Sequence, residues 1–233
     1  MRILQGMMLG AEVLETMVLL VQCDFDDTIS VGNVSVALRE AFAPDEWRRM
    51  EQEYISGKYT VEESNIRQYA LIRTTEKELH DFVKAEAVVR DGFQDFAEYC
   101  QAQGIRLVVV SSGLDIYIKP TLDQSGLDYL EVHSARAYVT PSGIRVEYAD
   151  PRGTVITGGF KESFLREFKS QGHTMIYVGD GLSDITPARE AGFVIARSTL
   201  ERYLKENGLP YYGFDTFADV RRHVEEIRLS AGG

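Results

Sequence analysis

The segment Val18-Leu19-Leu20-Val21-Gln22-Cys23-Asp24-Phe25-Asp26-Asp27-Thr28 decides the fold. Its first residues, 18–21, are apolar and predict a buried strand, and Asp24 and Asp26 follow where that strand ends. In open α/β sheets, ligands bind beyond the carboxyl ends of the strands, so these carboxylates lie at a candidate site. Carboxylates this close repel each other when ionised, which favours a bound cation or one protonated group. Taken alone, the segment also suits an acidic turn or a helix N-cap.

Three further segments place polar residues in comparable positions. Residues 107–110 predict a strand that runs into Ser111-Ser112-Gly113, which we interpret as a small-residue turn with N–H groups able to face an anion. Residues 175–178 predict another strand, followed by Gly179-Asp180-Gly181-Leu182-Ser183-Asp184. Lys161 stands at the start of an amphipathic helix. Each segment alone suits a cap, a turn or a surface charge, whereas their joint recurrence favours one shared site.

The residue types match the needs of phosphoryl transfer. The transferred group carries charge on three equatorial oxygens, so positioning and electrostatic stabilisation account for most of the catalysis. Ser111, Lys161 and loop N–H groups can hold those oxygens, and Asp24, Asp180 and Asp184 can bind a hard cation such as Mg²⁺. Asp24 is then a carboxylate nucleophile that forms an aspartyl phosphate.

These four segments resemble the four motifs of the haloacid dehalogenase superfamily phosphatases, in the branch of the phosphoserine-phosphatase-like enzymes. The resemblance implies that Asp24 attacks phosphorus, while Asp26 protonates the leaving oxygen and then activates water. It implies that Mg²⁺ is bound by Asp24, the backbone carbonyl of Asp26, Asp180 and, through a water, Asp184. The phosphate-binding residues implied by the motifs are Ser111, Ser112, Gly113 and Lys161.

The region between the first two motifs has a different character. It contains four apolar helical patterns and no strand signal, which predicts a small helical bundle inserted into the sheet domain. The predicted fold class is therefore α/β, with a Rossmann-like parallel sheet core over 17–31 and 87–230 and a helical-bundle cap over 32–86. The resemblance implies that this cap closes over the site and recognises the leaving group of the substrate. The polar cap candidates are Tyr54, Lys58, Asn65, Arg67 and Tyr69.

The remaining sequence predicts a regular alternation of elements. We expect a helix over 115–124, a β-hairpin over 131–148 and, after the fourth motif, a helix over 183–191 and a strand over 193–196. A helix over 199–207, an edge strand at 211–212 and a final helix over 217–227 complete the chain.

Composition and charge limit the possible partners. The chain has 233 residues, 25 basic and 36 acidic, and a net charge of −11, which argues against a nucleic-acid partner. No segment reaches the roughly 18 apolar residues of a membrane span, and residues 1–16 lack a convincing signal peptide, so we expect a cytoplasmic monomer or homodimer. We expect residues 1–16 to be a dispensable extension before Met17. Cys23 and Cys100 are expected to be free core residues.

Two longer stretches bear on the substrate. Residues 109–120 and 196–217 are similar to the methionine-salvage phosphatases, which act on 2-hydroxy-3-keto-5-methylthiopentenyl-1-phosphate. Asp27 stands where those enzymes usually have Gly. Asn33 and, in a gapless alignment, Tyr69 stand where phosphoserine phosphatases carry Glu and Arg, which weakens phosphoserine as a substrate. Phosphoserine, phosphocholine and phosphoethanolamine remain the alternatives.

Two non-enzymatic interpretations are open as well. A receiver-like signalling domain also has acidic residues, a hydroxyl group and a lysine around an aspartyl phosphate. It needs neither a four-helix insert nor a Gly-Asp-x-x-x-Asp motif near the C-terminal end. A silent protein that only binds a phosphorylated ligand would have lost a catalytic residue, whereas every catalytic position here is filled. A Mg²⁺-dependent phosphatase assay separates both from an enzyme.

Overall fold

The computed structural model describes residues 17–231, which form an eight-stranded sheet flanked by helices. The strands are β1 Val18–Cys23, β2 Arg106–Leu114, β3 Glu131–Thr140, β4 Gly143–Ala149, β5 Val155–Ile156, β6 His173–Gly179, β7 Phe193–Ala196 and β8 Tyr212–Gly213. Their order in the sheet is β5-β4-β3-β2-β1-β6-β7-β8. The pairs along β3-β2-β1-β6-β7-β8 are parallel, and β4 and β5 add an antiparallel edge. The predicted α/β class with a Rossmann-like sheet is confirmed.

Ten α-helices are present among the described residues. They are α1 Val34–Phe42, α2 Glu46–Ile55, α3 Val61–Tyr69, α4 Glu76–Glu86, α5 Phe93–Ala102, α6 Asp115–Gln124, α7 Phe160–Ser170, α8 Ile185–Glu190, α9 Ser198–Glu206 and α10 Phe217–Ala231. Among residues 17–231, none has the length and apolar character that a membrane-spanning helix requires.

The register of the central strands brings the predicted motifs together. Cys23, the last residue of β1, pairs with Val109 of β2 on one side and with Val178 of β6 on the other. Asp24 therefore lies beside the segments that follow Val109 and Val178 in the chain. Since all three strands are parallel, the first, second and fourth motifs meet at one edge of the sheet.

Helices α1 to α4 form the insert between the first motif and α5. Asn33 caps α1 by accepting a hydrogen bond from the backbone N–H of Val36 at 2.8 Å, while Thr60 and Thr75 begin α3 and α4 with capping boxes. An antiparallel bridge joins Ser30 to Val89, so the insert leaves and re-enters the sheet domain at one place. The cap bounds at 32–86 stay a prediction.

The structure differs from the sequence-based expectations in a few local places. Ser111-Ser112-Gly113 is not a turn, because β2 continues to Leu114 with an irregularity in its pairing with β3. The helix expected over 183–191 is a short 3₁₀ turn, Leu182–Asp184, followed by α8, and the short strand β5 was not predicted. Cys23 and Cys100 are buried and free, as predicted. The predictions for residues 1–16 lie outside the described residues.

Candidate active site

Asp24 lies at the centre of a buried ion cluster at the end of β1. Its side chain is almost completely buried, and its backbone N–H donates to the Val178 carbonyl at 2.9 Å, which fixes it against β6. Lys161 Nζ lies 2.9 Å from Asp24 Oδ1 and 2.6 Å from Asp184 Oδ1. One ammonium therefore bridges the acids of the first and fourth motifs.

Lys161 is held in this position by the fold of α7. It is the second residue of that helix, and its backbone carbonyl accepts a hydrogen bond from Gln22 Nε2 of β1 at 3.0 Å. Burial disfavours the ammonium, but the carboxylates of Asp184 and Asp24 outweigh this effect and raise the pKa of Lys161 above its ordinary value. Lys161 is thus a fixed cation between two carboxylates.

Three buried carboxylates converge on one point. Oxygens of Asp24, Asp180 and Asp184 lie within 4.8 Å of one another, and Thr28 Oγ1 donates to Asp180 Oδ1 at 2.8 Å. Burial raises the pKa of Asp24 to about 7, although Lys161 opposes the shift, and burial together with the charges of Asp184 and Asp24 raises that of Asp180 to about 8. Repelling carboxylate oxygens in a buried cluster are suitable donors for a hard divalent cation, so the residues present fit Mg²⁺.

The side chain of Asp184 already has hydrogen-bond donors on both oxygens. Oδ1 accepts from Lys161 Nζ and from the Tyr177 hydroxyl at 2.6 Å each, and Oδ2 accepts from the backbone N–H groups of Asp180 and Gly181 at 3.0 and 2.8 Å. Asp184 therefore shapes the loop that carries Asp180 and orients Lys161. This arrangement leaves it less free than Asp24 and Asp180 to contact a cation directly.

The side chain of Asp26 has its own, separate set of partners. Tyr117 donates its hydroxyl proton to Asp26 Oδ2 at 2.5 Å, and the backbone N–H of Ser35 donates to Oδ1 at 3.2 Å. Burial raises the pKa of Asp26, while the bonds from Tyr117 and Ser35 and the charge of Arg39 oppose the rise. A buried carboxyl with a raised pKa is suited to donate a proton.

Gly113 leaves the space through which Tyr117 reaches Asp26. A Cβ atom at this position would lie 2.0 Å from the Tyr117 hydroxyl oxygen and 2.9 Å from Asp26 Oδ2. Both distances are shorter than any normal contact, so only glycine fits between the two side chains. The backbone N–H of Gly113 donates to Ser111 Oγ at 3.1 Å, which fixes the hydroxyl of the second motif in the same place.

Asp27 adopts a left-handed backbone conformation, with φ of +57°. Its carbonyl accepts from Arg90 Nη2 at 2.8 Å and from Arg197 Nη1 at 3.3 Å, which holds the loop after β1 in this conformation. Glycine adopts positive φ without strain, and Asp is one of the few other residues that tolerate it. Asp27, which stands where the methionine-salvage enzymes usually have Gly, therefore bears on the backbone conformation of this loop.

Comparisons with known proteins agree with this geometry. The profile of the haloacid dehalogenase-like hydrolase family matches residues 21–189. The chain belongs to the haloacid dehalogenase-like hydrolases. The predicted family and the predicted class of enzyme, a phosphatase, are confirmed.

Two curated relatives of this hydrolase share its full core. It is 31% identical to a 2-hydroxy-3-keto-5-methylthiopentenyl-1-phosphate phosphatase of Brevibacillus brevis, over 88% of this chain and 95% of the relative. It is 29% identical to the phosphatase of the same name from Geobacillus thermodenitrificans, over 90% and 96% of the two chains. A solved phosphoserine phosphatase with an analogue of the phospho-aspartyl intermediate superposes with a TM-score of 0.66 at 22% identity, covering 90% of this chain and 99% of that one, which shows the shared fold.

The cavity of the hydrolase has a volume of about 210 Å³ and lies between the sheet edge and the helical insert. Of the cap candidates, Tyr54 and Asn65 line it. Lys58 instead pairs with Glu53 on the surface at 3.0 Å, and Arg67 is exposed and stacks on Tyr59. Tyr69 is fully buried, and its hydroxyl bonds to Ser35 Oγ at 2.6 Å. Tyr69 therefore belongs to the core beneath the cavity.

Several residues of this site were not predicted from the sequence. Arg39 and Glu51 line the cavity, Tyr117 holds Asp26, and Tyr177 holds Asp184. One signal was available for Tyr117, which lies four residues after Gly113, in the first turn of the helix α6 that follows the second motif. Another was available for Arg39, since it follows Ser35 by four residues and so shares its face of α1.

The contact between Tyr117 and Asp26 gives a first testable prediction. Tyr117→Phe removes a charge-assisted hydrogen bond to Asp26, the predicted proton donor, and we expect kcat to fall about tenfold, since such bonds contribute roughly 1.5–3 kcal/mol. Gly113→Ala forces the two side chains apart and should lower kcat at least as far. Thermal melts identify variants that fail to fold. Wild-type kcat in a folded Gly113→Ala protein would show that the contact does not matter for turnover.

Proposed function

We propose that this protein is a Mg²⁺-dependent phosphatase that hydrolyses 2-hydroxy-3-keto-5-methylthiopentenyl-1-phosphate through an aspartyl-phosphate intermediate. The observation that carries the mechanism is the division between two buried acids one residue apart. Asp24 lies in the acid–lysine cluster, whereas Asp26 is held apart by Tyr117 and Ser35. Two carboxyl groups with separate partners can act as nucleophile and proton donor at the same phosphate ester.

The roles of the site residues follow from their contacts. Asp24 attacks phosphorus, and Lys161, Ser111, Ser112 and Gly113 hold the phosphoryl oxygens. Asp26 gives its proton to the leaving oxygen and afterwards takes one from the water that attacks the aspartyl phosphate. Because Lys161 is buried between two carboxylates, its ammonium is already in place before the substrate arrives.

Mg²⁺ would be held by the carboxylates of Asp24 and Asp180 and the backbone carbonyl of Asp26, with Asp184 acting through a water. When bound, it supplies positive charge that lowers the repulsion between the nucleophile and the phosphoryl oxygens. Thr28 orients Asp180 by its 2.8 Å hydrogen bond.

We also propose that residues 32–86 act as the cap of this site. Two contacts tie the insert to catalytic segments: Phe160 N–H donates to Glu62 Oε1 at 2.8 Å next to Lys161, and Asn65 Nδ2 donates to the Ser112 carbonyl at 2.9 Å. Movement of the insert would therefore displace the phosphate-binding residues, as expected for a lid.

The proposed substrate is supported by the relatives and by the apolar wall of the cavity. Val36, Tyr54, Ile55, Val61 and Leu182 line it from both the insert and the sheet domain. Ile55 and Leu182 are 51% and 40% exposed, so their side chains are accessible to an apolar group of a ligand. A methylthioalkyl tail would cover them.

A specific observation favours one alternative. Glu51 also lines the cavity, where it accepts a hydrogen bond from Gln68 Nε2 at 3.0 Å, and its carboxylate could pair with an ammonium group. Phosphoserine and phosphoethanolamine are therefore the second candidate substrates. Glu51 would bind their ammonium group, in place of the residues at positions 33 and 69.

A panel of phosphate esters tests the assignment. Initial rates of phosphate release at equal Mg²⁺ would be compared for the keto-enol phosphate, phosphoserine, phosphoethanolamine and glycerol phosphate, with wild type and Glu51→Gln. We expect kcat/KM for the keto-enol phosphate to exceed the others by at least about tenfold, or about 1.4 kcal/mol, in both proteins. A preference for an amine-bearing ester that Glu51→Gln abolishes would replace this proposal with the alternative.

The raised pKa values of Asp24, about 7, and Asp180, about 8, predict how Mg²⁺ binding depends on pH. Both exceed the value of about 3.9 in an unfolded chain, so metal-free protein should lose stability as pH rises from about 4 to 8. Mg²⁺ requires the ionised acids, so its affinity should increase about tenfold per pH unit for each proton displaced. The increase in Tm on adding Mg²⁺ should therefore be small at pH about 5.5 and large at pH about 8.5.

Asp180→Asn provides the matched control for this measurement, because it removes one ionisable metal ligand and keeps the shape of the side chain. The Mg²⁺-induced increase in Tm should shrink in this variant at every pH. An increase that is independent of pH, or equal in the variant, would contradict the assignment of the cation to these acids.

A further inference from the structure

Arg39 is a buried cation of the cavity that forms no ion pair among the described residues. It lies on α1, is 4% exposed and lines the cavity together with Asp24 and Asp26. Within residues 17–231 its side chain makes one hydrogen bond, from Nη1 to Asn65 Oδ1 at 3.2 Å, no carboxylate forms an ion pair with it, and Nε has no partner. A buried charge left in this state is costly, so the site is incomplete without an electron-rich oxygen.

The guanidinium is held in place from several sides. It lies over the rings of Trp47 and Tyr69, 5.4 and 5.7 Å from their centroids. Asn65, its hydrogen-bond partner, is itself fixed, because its amide donates to the Ser112 carbonyl and to the Tyr148 hydroxyl at 2.9 Å each. Arg39 is therefore linked through one residue to the phosphate-binding segment, and its orientation is set before a ligand binds.

The chemistry of the proposed substrate supplies such an oxygen. Its phosphate ester oxygen is attached to C1 of a C1–C2 double bond that is conjugated to the carbonyl group at C3. As Asp24 forms its bond to phosphorus, the bond from phosphorus to the ester oxygen breaks, and the electron pair moves onto that oxygen. Conjugation spreads the resulting charge to the C3 carbonyl oxygen, and the proton from Asp26 goes to the ester oxygen.

We propose that Arg39 is a catalytic residue that donates hydrogen bonds to the conjugated carbonyl oxygen of the leaving group and so selects enol phosphates. The inference rests on the proposed function. Two groups of the protein then act on the same developing charge: Asp26 at the ester oxygen and Arg39 at the far end of the conjugated system. Arg39 makes its strongest interaction as the ester bond breaks, which raises the rate as well as the affinity.

Arg39→Met tests the proposal, because methionine has a similar volume without charge and buried ions can be replaced by apolar side chains. The variant would be compared with wild type on the keto-enol phosphate and on glycerol phosphate, which has no carbonyl group. We expect kcat/KM for the keto-enol phosphate to fall about 100-fold, the usual loss for one oxyanion donor, and to fall at least about tenfold further than that for glycerol phosphate, whose loss measures the effect of the Arg39 charge on Asp26. Arg48→Met is the matched control, since Arg48 stacks on the same Trp47 ring from the exposed side, and it should match wild type on both esters.

The outcomes separate the two proposals. If wild type does not hydrolyse the keto-enol phosphate, the proposed function fails and this inference fails with it. If wild type does so but Arg39→Met loses activity equally on both esters, or on neither, only the role of Arg39 is wrong. A loss confined to phosphoserine in the panel would make Arg39 a carboxylate-binding residue instead. If Arg39→Met does not fold, Arg39→Lys tests the role of Arg39 instead, since it keeps the charge and loses the forked donors. The same quantity is measured, the ratio of kcat/KM for the keto-enol phosphate to that for glycerol phosphate.

Discussion

Asp24→Asn is expected to abolish both turnover and the covalent phosphoenzyme. An amide oxygen is a weak nucleophile, and Asn offers Mg²⁺ a neutral ligand in place of a carboxylate. Removal of a nucleophile costs many orders of magnitude, so we expect kcat to fall by about 10⁴ or more. The substitution keeps the shape of the side chain and relieves repulsion from Asp180 and Asp184, because oxygens of the three carboxylates lie within 4.8 Å of one another, so the fold should survive.

Two measurements check this expectation: initial rates of phosphate release and intact mass after acid quenching, which detects an aspartyl phosphate. Asp45→Asn serves as the control, because Asp45 is an exposed carboxylate in the insert and its loss should leave both results unchanged. Asp24→Asn activity within tenfold of wild type would contradict the mechanism.

The cluster around Asp24 could be predicted from sequence because each of its members follows a local signal. Asp24 and Asp180 directly follow strands β1 and β6, Ser111 follows an apolar run, and Lys161 lies in the first turn of α7. Because β2 and β6 both pair in parallel with β1 at the centre of the sheet, the residues that follow these strands lie close together. The positions of the strands in the sequence are enough to predict this. A resemblance to a known family added the roles of these residues to that placement.

The charged residues of the insert that line the cavity could not be predicted in the same way. Arg39 is buried although charge usually marks the exposed face of a helix, and Glu51 reaches the cavity from α2 only because of how the insert packs. Tyr69 shows the opposite error, since its alignment with an Arg of other phosphatases suggested a binding role while its side chain is fully buried. Such positions depend on the packing of helices, which sequence spacing leaves undetermined.

Ser111-Ser112-Gly113 shows how tertiary context overrides local preference. Small polar residues favour a turn, but pairing with β3 resumes at Leu114, opposite Ala135, so the segment stays extended with an irregular register. The need for Gly113 likewise has no local cause, because it arises from the approach of Tyr117 to Asp26 across the chain.

Asp26→Asn should make activity depend on how readily the leaving group departs without a proton. Asp26 is held by Tyr117 at 2.5 Å and by the Ser35 N–H at 3.2 Å, and its raised pKa suits it to protonate an alkoxide. General acid catalysis contributes about 10²–10⁴-fold, so kcat/KM for an alkyl ester such as glycerol phosphate should fall by that amount. The p-nitrophenolate of p-nitrophenyl phosphate needs no proton, so its kcat/KM should fall less than about tenfold.

The same variant should separate the two steps of turnover. Asp26 is also proposed to activate the water that attacks the aspartyl phosphate. Asp26→Asn with p-nitrophenyl phosphate should therefore release one equivalent of p-nitrophenolate in a burst and then slow, while the phosphoenzyme accumulates. Stopped-flow absorbance measures the burst, and acid-quenched mass measures the intermediate. Asp27→Asn is the control at the neighbouring position, since Asn tolerates the φ of +57° and the carbonyl bonds to Arg90 and Arg197 remain. Equal losses for alkyl and p-nitrophenyl esters, without a burst, would remove Asp26 from proton transfer and leave it a structural partner of Tyr117.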